Sequence, residues 1–515
     1  MKFHLSVLFT LLCFSTFGQA TNTENAEIAF GPMFTVDQRS VPTKFVGSDE
    51  SGFYVVYSDG KHGQGDETLY KFSYDLKPIK NNPLTQSSDG GMVFMVGNRL
   101  FQIVRTNSSS TLYVHLLEIN TETLQAMKRT LLAQMDNSMK SASQAALSVQ
   151  FSDDLSKMVV IYTIPNKRKE FESIRAHVYD SDFKEIWSQT YELPYENRLL
   201  DIQDYTLHND GKLFITARRF YGKRRVKVDG EVNYDYLLLS LEDSGKIDSL
   251  QIQSQDKYLR SMRVDVAENG DVVSAGFYSQ RNSNGLGGAF YLRIDSKTGA
   301  QISSSYKEFD IDFQTDNMTE AKAARTKKRA AEGKNVEQAN YFIDRFITKP
   351  DGGVQMIGEK RLIITTYIQA GLVAVPTTTY YFDDVLVVDI DAEGKIKWAS
   401  QIAKKQTTTD DAAAYSSYAN LSQGNDLFFV FNDNAENLDY NGVGRVSRMG
   451  KNSSTVVMAA KVDENGKITR EGLFRRGEAE IKIRPRLSHV LNDNEMLLFG
   501  HSTVRNQRFV LVKFK

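Results

Sequence analysis

Residues Tyr236 to Ile252 read YLLLSLEDSGKIDSLQI, and this stretch decides the fold. An apolar run, Tyr236 to Leu241, meets the polar turn Glu242-Asp243-Ser244-Gly245, and a second run with polar residues at alternate positions follows. That order is a β-hairpin: period-2 strands joined where an Asp- and Gly-bearing turn lets the chain reverse. The same hairpin recurs at Leu69–Leu84, Val114–Leu131, Ala176–Tyr191, Phe290–Tyr306, Val385–Ile402 and Val457–Phe474. A second hairpin lies upstream of most of these, at Tyr205–Ala217, Val264–Gly276, Phe346–Gly358, Tyr418–Phe431 and His489–Gly500. Two hairpins make a four-stranded sheet, and such units repeating at about 45 to 70 residues describe an all-β propeller.

Seven complete units are visible. The last stretch, Ile483 to Lys515, supplies three strands and stops, while EIAFGPMFTV (Glu27 to Val36) reads as a lone strand without a hairpin partner. Joining the two gives an eighth blade closed by the N-terminal strand and hides both sheet edges, which an open ring would leave to pair with other chains. We therefore expect eight four-stranded blades, with seven as the alternative. One helix interrupts the pattern near 317–333: Asn317-Met318-Thr319-Glu320 has the spacing of a capping box, and Gly333 stands where a C-terminal cap belongs. We expect a largely exposed insertion over about 315–340, and a weaker excursion over 133–148.

Residues 1–20, MKFHLSVLFTLLCFSTFGQA, place Lys2 before an apolar run from Leu5 to Phe17 and end on Gly18, Gln19 and Ala20. This is the layout of a secretory signal peptide, and the run is too short to span a bilayer. The expectation is a signal peptide at 1–20, a single propeller domain at 21–515, no transmembrane segment, and residence in a bacterial periplasm, at the outer membrane or outside the cell. The chain has a single cysteine, Cys13, inside that run. Processing would leave a chain with no disulfide, held together by packing alone. Lys and Arg total 63 against 64 Asp and Glu, so no global field favours nucleic acid.

The turns Asp295-Ser-Lys-Thr298-Gly299 and Asp391-Ala-Glu-Gly394-Lys-Ile-Lys-Trp398 resemble the D-x-x-T-G-x-x-x-W signature of quinoprotein-type (PQQ-like) propeller repeats. That resemblance implies the propeller architecture. The catalytic branch of the family implies a bound quinone, calcium and a cysteine pair, and the mature chain has no cysteine. The non-catalytic branch, which includes a scaffold of outer-membrane protein assembly, remains open.

Propeller topology places first-to-second and third-to-fourth turns on one face, and second-to-third loops and blade links on the other. Here the first kind are short and the second kind long: Tyr221–Asn233, Ser279–Gly288, Thr365–Tyr380 and Asn432–Ser454. Long loops add surface without adding core, so the long-loop face is where function is expected. Two of its stretches are candidate partner-binding loops. RRFYGKRRVK carries Arg219, Tyr221, Arg224 and Arg225 among further basic residues, backed by Lys327, Lys328 and Arg329; the competing reading is a solvated charged hairpin. TTYIQAGLVAVPTTTYYF places Ile368, Leu372, Val373 and Val375 at a loop tip that is ordinarily polar. The third stretch, from Asn432, is rich in Asn and Gly and reads as a clasp or as a mobile loop.

Counting seven residues back from the glycine of each first turn gives Asp204, Arg263, Arg345 and Ser417 on the innermost strands, with Arg486 near the same level. These are the candidate channel ligand-binding residues, since guanidinium groups grip carboxylates bidentately. The competing reading is a set of ion pairs between blades. No histidine pair has metal-ligand spacing, and H-E-x-x-H, G-x-S-x-G and P-loop motifs are absent. We expect no metal, no cofactor and no complete catalytic set. The sequence thus leans away from an enzyme, toward an exported platform or accessory subunit that binds a protein partner in the cell envelope. The alternative is a sialidase- or lyase-like protein that binds or degrades an acidic glycan at the central channel.

Overall fold

The computed structural model describes residues 18–515 apart from 37–39, 60–64, 88–90, 109, 137–146, 165–169, 230, 253–256, 268, 281–285, 297, 316–317, 335–340, 350, 371–372, 443, 451–453 and 504. Eight antiparallel sheets of four or more strands follow one another along the chain. Each of the first seven is built from consecutive segments, blade one beginning at Val41–Asp49 and blade seven ending at Ile468–Arg475. The protein is an eight-bladed β-propeller.

The strands show why the hairpins read as they do. In blade one the second strand, Gly52–Ser58, is buried along its whole length, whereas the outer strand, Pro78–Pro83, is almost wholly exposed. Blades stack face to face, so their middle strands are covered on both sides and read as near-continuous apolar runs. Alternate residues go to alternate neighbours. Phe53, Val55 and Tyr57 pack with Leu497, Phe499 and Phe509 of blade eight, while Tyr54 and Val56 pack with Val93 and Leu100 of blade two. Every pair of adjacent blades encloses one such apolar cluster, so the core is a ring of eight interfaces.

Blade eight closes the ring with both ends of the chain. Its inner three strands are Lys482–Asn492, Glu495–His501 and Asn506–Phe514. The fourth is Ala26–Phe30, with Ala26 opposite Phe514 and Phe30 opposite Val510. The chain breaks register at Gly31 and then rejoins the same strand through Phe34 and Thr35. Gly18–Asn22 adds a fifth, outermost strand. Cleavage after Ala20 would remove part of this extra strand and leave the fourth intact. Residues 1–17, which carry most of the expected export signal and Cys13, lie outside the described residues.

The insertion between blades five and six contains two helices, Ile311–Thr315 and Glu320–Ala331. The cap is Thr319, two residues later than the capping-box spacing from Asn317 suggests, because the Thr319 hydroxyl accepts the N–H of Lys322. No residue of the longer helix is buried, as its run of alanines and lysines dictates, and Lys327 pairs with Asp312 of the shorter one at 2.7 Å. Most of the excursion expected over 133–148 lies outside the described residues. Among the described residues no helix is long and apolar enough to cross a membrane.

Candidate functional site

The long-loop face carries two built features. The first is an arm. The second and third strands of blade six, Val354–Ala370 and Val373–Ile390, run on past their blade as a two-stranded ribbon that pairs as far as Ala370 opposite Val373. The inner strand of the blade stops beside Lys360. Beyond it, among the described residues, no strand pairs with the outer edge of 361–370. A short strand, Gln406–Thr409, covers the other edge, but only at the base, opposite Thr379 to Phe382. Ile363 is 56% exposed and Tyr367 72%, on one face of the ribbon, and Leu362 and Ile364 are exposed on the other. The stretch expected to be an apolar loop tip is thus a ribbon with apolar residues on both faces. Val375 is exposed opposite Ile368, Val373 starts the returning strand, and Leu372 lies outside the described residues.

The second feature is the mouth of the central channel. The link from blade six to blade seven crosses it as a strap over residues 410–417, in which Asp410, Ala412, Ala413 and Ser417 all take left-handed backbone angles, φ between 53° and 72°. Such angles cost energy for residues with a Cβ and persist only where the surroundings enforce them. The enforcement is visible. Thr378 at the base of the arm donates its N–H to the Asp410 carboxylate at 2.7 Å and accepts the Asp410 N–H at 2.9 Å. Buried Asn432 donates to the carbonyls of Tyr415 and Ile483, tying the strap to blade eight. The Ser417 hydroxyl donates to Glu359 at 2.8 Å.

Glu359 anchors a buried polar network under the strap. Lys404, with no exposed surface, donates to Glu359 at 2.7 Å, to the Phe382 carbonyl at 3.0 Å and to the Gln406 side-chain oxygen at 2.9 Å. Arg361 donates to Glu359 at 2.8 Å and to Asp344 at 2.6 Å, and the Tyr418 hydroxyl donates to Asp344. Burial pushes the Asp344 carboxyl up, and the Arg361 guanidinium opposes that shift. Each charge in this network has a partner, so it reads as a brace for the strap and the base of the arm.

Blade eight contributes Arg484 and Arg486, from a stretch of its inner strand where pairing is interrupted between Ile483 and Ser488. Arg486 donates to the carbonyls of Ala412 and Ala413 at 3.1 and 3.3 Å, and its guanidinium lies 5.6 Å from the Phe382 ring of blade six. A side chain of blade eight that touches blade six bypasses blade seven, which places it in the channel. Burial holds the Arg484 and Arg486 guanidinium groups below the ordinary arginine range; the Arg486 charge adds to the effect on Arg484, and the Arg361 charge to that on Arg486. Beside them the Tyr415 hydroxyl bonds His501, and Lys482 sits 4.9 Å over the Tyr415 ring. Burial, with the Arg484 charge behind it, lowers the His501 imidazole to about 4.

The remaining candidates separate. Arg263 forms an ion pair with Asp204, blade five to blade four. Arg345 is exposed and has no hydrogen bond or ion pair among the described residues. Ser417 belongs to the strap. The counted positions therefore do not converge on one ligand; Arg486 alone joins the cluster at the mouth. Spacing could have added Arg484, two residues from Arg486 and so on the same side of the strand. Glu359 had a signal too, as a charge set within the apolar second strand of blade six, whereas Lys404 follows the fourth strand, Ile396–Ile402.

No family profile and no curated protein matches the chain. Solved propellers resemble it distantly. The WD40 domain of SCAP from fission yeast aligns at 9% identity and a TM-score of 0.40, over 96% of this chain and 97% of that one. The polysaccharide lyase Uly1 aligns at 11% and 0.34, over 94% and 99%. The β-propeller domain of the Trilobed protease from Pyrococcus furiosus aligns at 10% and 0.36, over 85% and 96%. At these values nothing passes from those proteins to this one, and the propeller assignment rests on the eight sheets themselves.

The other loops of this face are engaged with their own blades. Arg218 and Arg224 both pair with Asp201, and Arg219 pairs with Asp235 and lies over the Tyr221 ring, so three guanidinium groups of the basic stretch are engaged by two carboxylates within blade four. Arg225 stays exposed. The Asn432 loop is pinned: Asn437 bonds Asp433 and the Ser447 backbone, Asn434 holds the Arg448 carbonyl, and Arg470 pairs with Asp433 at 2.6 Å. Among the described residues no three or more His, Cys, Asp or Glu side chains cluster as metal ligands would. In the D-x-x-T-G turn, Asp295 accepts the Thr298 N–H at 2.8 Å, and Asp391 accepts the Lys395 N–H at 2.7 Å. Turn formation thus accounts for these aspartates.

Proposed function

We propose that the protein is a non-enzymatic binding platform, an exported propeller or accessory subunit of a cell-envelope complex that holds a protein partner on its long-loop face. The observation that carries this reading is the arm of blade six. An open strand edge offers unpaired N–H and C=O groups to an extended segment of another chain, and flanking apolar side chains give that segment pockets to fill. The base of the arm is held by the strap and by the Glu359–Lys404 brace, so the ribbon is presented on a fixed mount. The signal-like stretch 1–20 supports export to the envelope. The quinoprotein-type turns support kinship with the non-catalytic branch of those propellers, whose members include an outer-membrane assembly scaffold.

Deleting residues 369–376 and, separately, replacing Ile363 with Lys tests the assignment. Both variants are expected to lose the partner recovered with wild type from crosslinked envelopes. Unchanged recovery with both would remove the arm from the function.

A further inference from the structure

We propose that Arg484 and Arg486, beneath the strap of residues 410–417, form a binding site for a carboxylate anion in the central channel. This site is independent of the arm and would stand if the arm bound nothing.

The argument starts from an unbalanced charge. Arg484 makes no hydrogen bond or ion pair with any described residue, and its Nε is shut off from solvent without a partner. Arg484 is half-buried and Arg486 more exposed, and a guanidinium drawn out of water is ordinarily paired, because desolvating a charge is repaid only by an opposite one. Here the nearest charge on the same strand is a second guanidinium, Arg486, which spends only Nη2 on the two strap carbonyls. Lys482 adds a third cation against the Tyr415 ring. Of the two acidic residues of the strap, Asp410 is bound by Thr378 and Asp411 accepts the Ala413 N–H at 2.9 Å; the Asp411 charge acts on Arg484 from a distance, without a hydrogen bond or ion pair. The strap is fixed in left-handed backbone, and Arg484 has no hydrogen-bonded partner for its guanidinium.

The chemistry points to a carboxylate. Each guanidinium is a planar fork that matches two carboxylate oxygens, and two forks on one strand, two residues apart, can receive one such group between them. The carboxylates of Glu359, Asp344 and Asp411 bear on Arg486, and they would repel the second charge of a phosphate dianion. The neutral His501 and the Tyr415 hydroxyl flank the site without adding charge.

Titration calorimetry on the full chain at low ionic strength, with sodium glucuronate, acetate and inorganic phosphate as probes, reads this directly. Saturable binding of glucuronate or acetate is expected, weakened tenfold or more by Arg484→Gln and by Arg486→Gln, and unaltered by Arg345→Gln. Failure of both carboxylates to bind, equal affinity in the Arg484 and Arg486 variants, or a preference for phosphate would each overturn the assignment. Thermal unfolding separates a binding role from a structural one. An unpaired cation is a burden on the empty protein, so Arg484→Gln should raise the unfolding midpoint without ligand and abolish the rise that glucuronate gives wild type. A lowered midpoint, or failure to fold, would show that Arg484 serves the fold and would defeat the proposal.

Discussion

His501 shows how one residue reports on its surroundings. It stands on the second strand of blade eight, bonded to Tyr415 and beside Arg484, and burial and that neighbouring charge bring its pKa down to about 4 from an ordinary 6.5. A base whose pKa is lower in the fold than in the open chain binds fewer protons when folded. Its contribution to stability is therefore full above pH 6.5 and is lost as pH falls from there through 4, on the order of 3 kcal/mol in all. An imidazole titration by NMR should find His501 uncharged at pH 6, and Arg484→Gln should move its midpoint upward. An ordinary midpoint in wild type would place the Arg484 charge elsewhere. At the same scale Gly466, with φ of +80°, turns beneath Trp398: a Cβ there would fall 2.6 Å from the indole, whose N–H donates to the Glu464 carbonyl. Both tryptophans follow the third-to-fourth turn of their blades, and this one seals a joint between blades six and seven.

Among elements, the arm differs most from its setting. Among the described residues no other pair of middle strands runs on so far past its inner strand, and the added residues of this pair include Leu362, Ile363, Ile364 and Tyr367 with no core to enter. A segment that buries little contributes little to stability. Deleting residues 369–376 is therefore expected to shift unfolding by no more than about 0.5 kcal/mol, the range of surface changes, even as partner binding is lost. A large loss of stability in denaturant titration would mean that the ribbon packs on the propeller. The sequence displayed the arm's apolar residues but not its form. Thr365, Thr366 and Thr377 to Thr379 suit a strand and a polar loop equally well, and only pairing across sixteen positions, from Val354 opposite Ile390 to Ala370 opposite Val373, resolves the choice.

The molecule as a whole is a ring whose closure depends on one short strand. Ala26, Ile28 and Phe30 are buried in the last interface, with Ala419, Leu421 and Val512, and Lys515 bonds the Asn25 carbonyl at 3.0 Å. Placing a charge in that interface, Ile28→Asp, should cost about 3 kcal/mol or more and expose two sheet edges at once. Denaturant unfolding with size-exclusion chromatography would register a lower midpoint and the onset of association. An unaltered midpoint would show that the ring holds without its N-terminal strand.

Hairpin periodicity, turn residues, a lone N-terminal strand and a three-stranded C-terminal unit were enough to point to the repeat and the closure and to favour eight blades over seven, which the eight sheets decide, because each depends on neighbours in the chain or on a count of strands. The channel mouth was beyond that reach. Arg486 was visible as a charge on an inner strand, but that it meets Phe382 and Ala412 rather than Arg263 and Arg345 follows from how the inner strands and the strap are set around the channel. Likewise Lys404 and Glu359, 45 positions apart, were two unremarked charges until blade six folded them onto each other. Local pattern follows from the order of residues; the pairing of charges follows from distances through space, which only the folding of each blade and the closing of the ring decide.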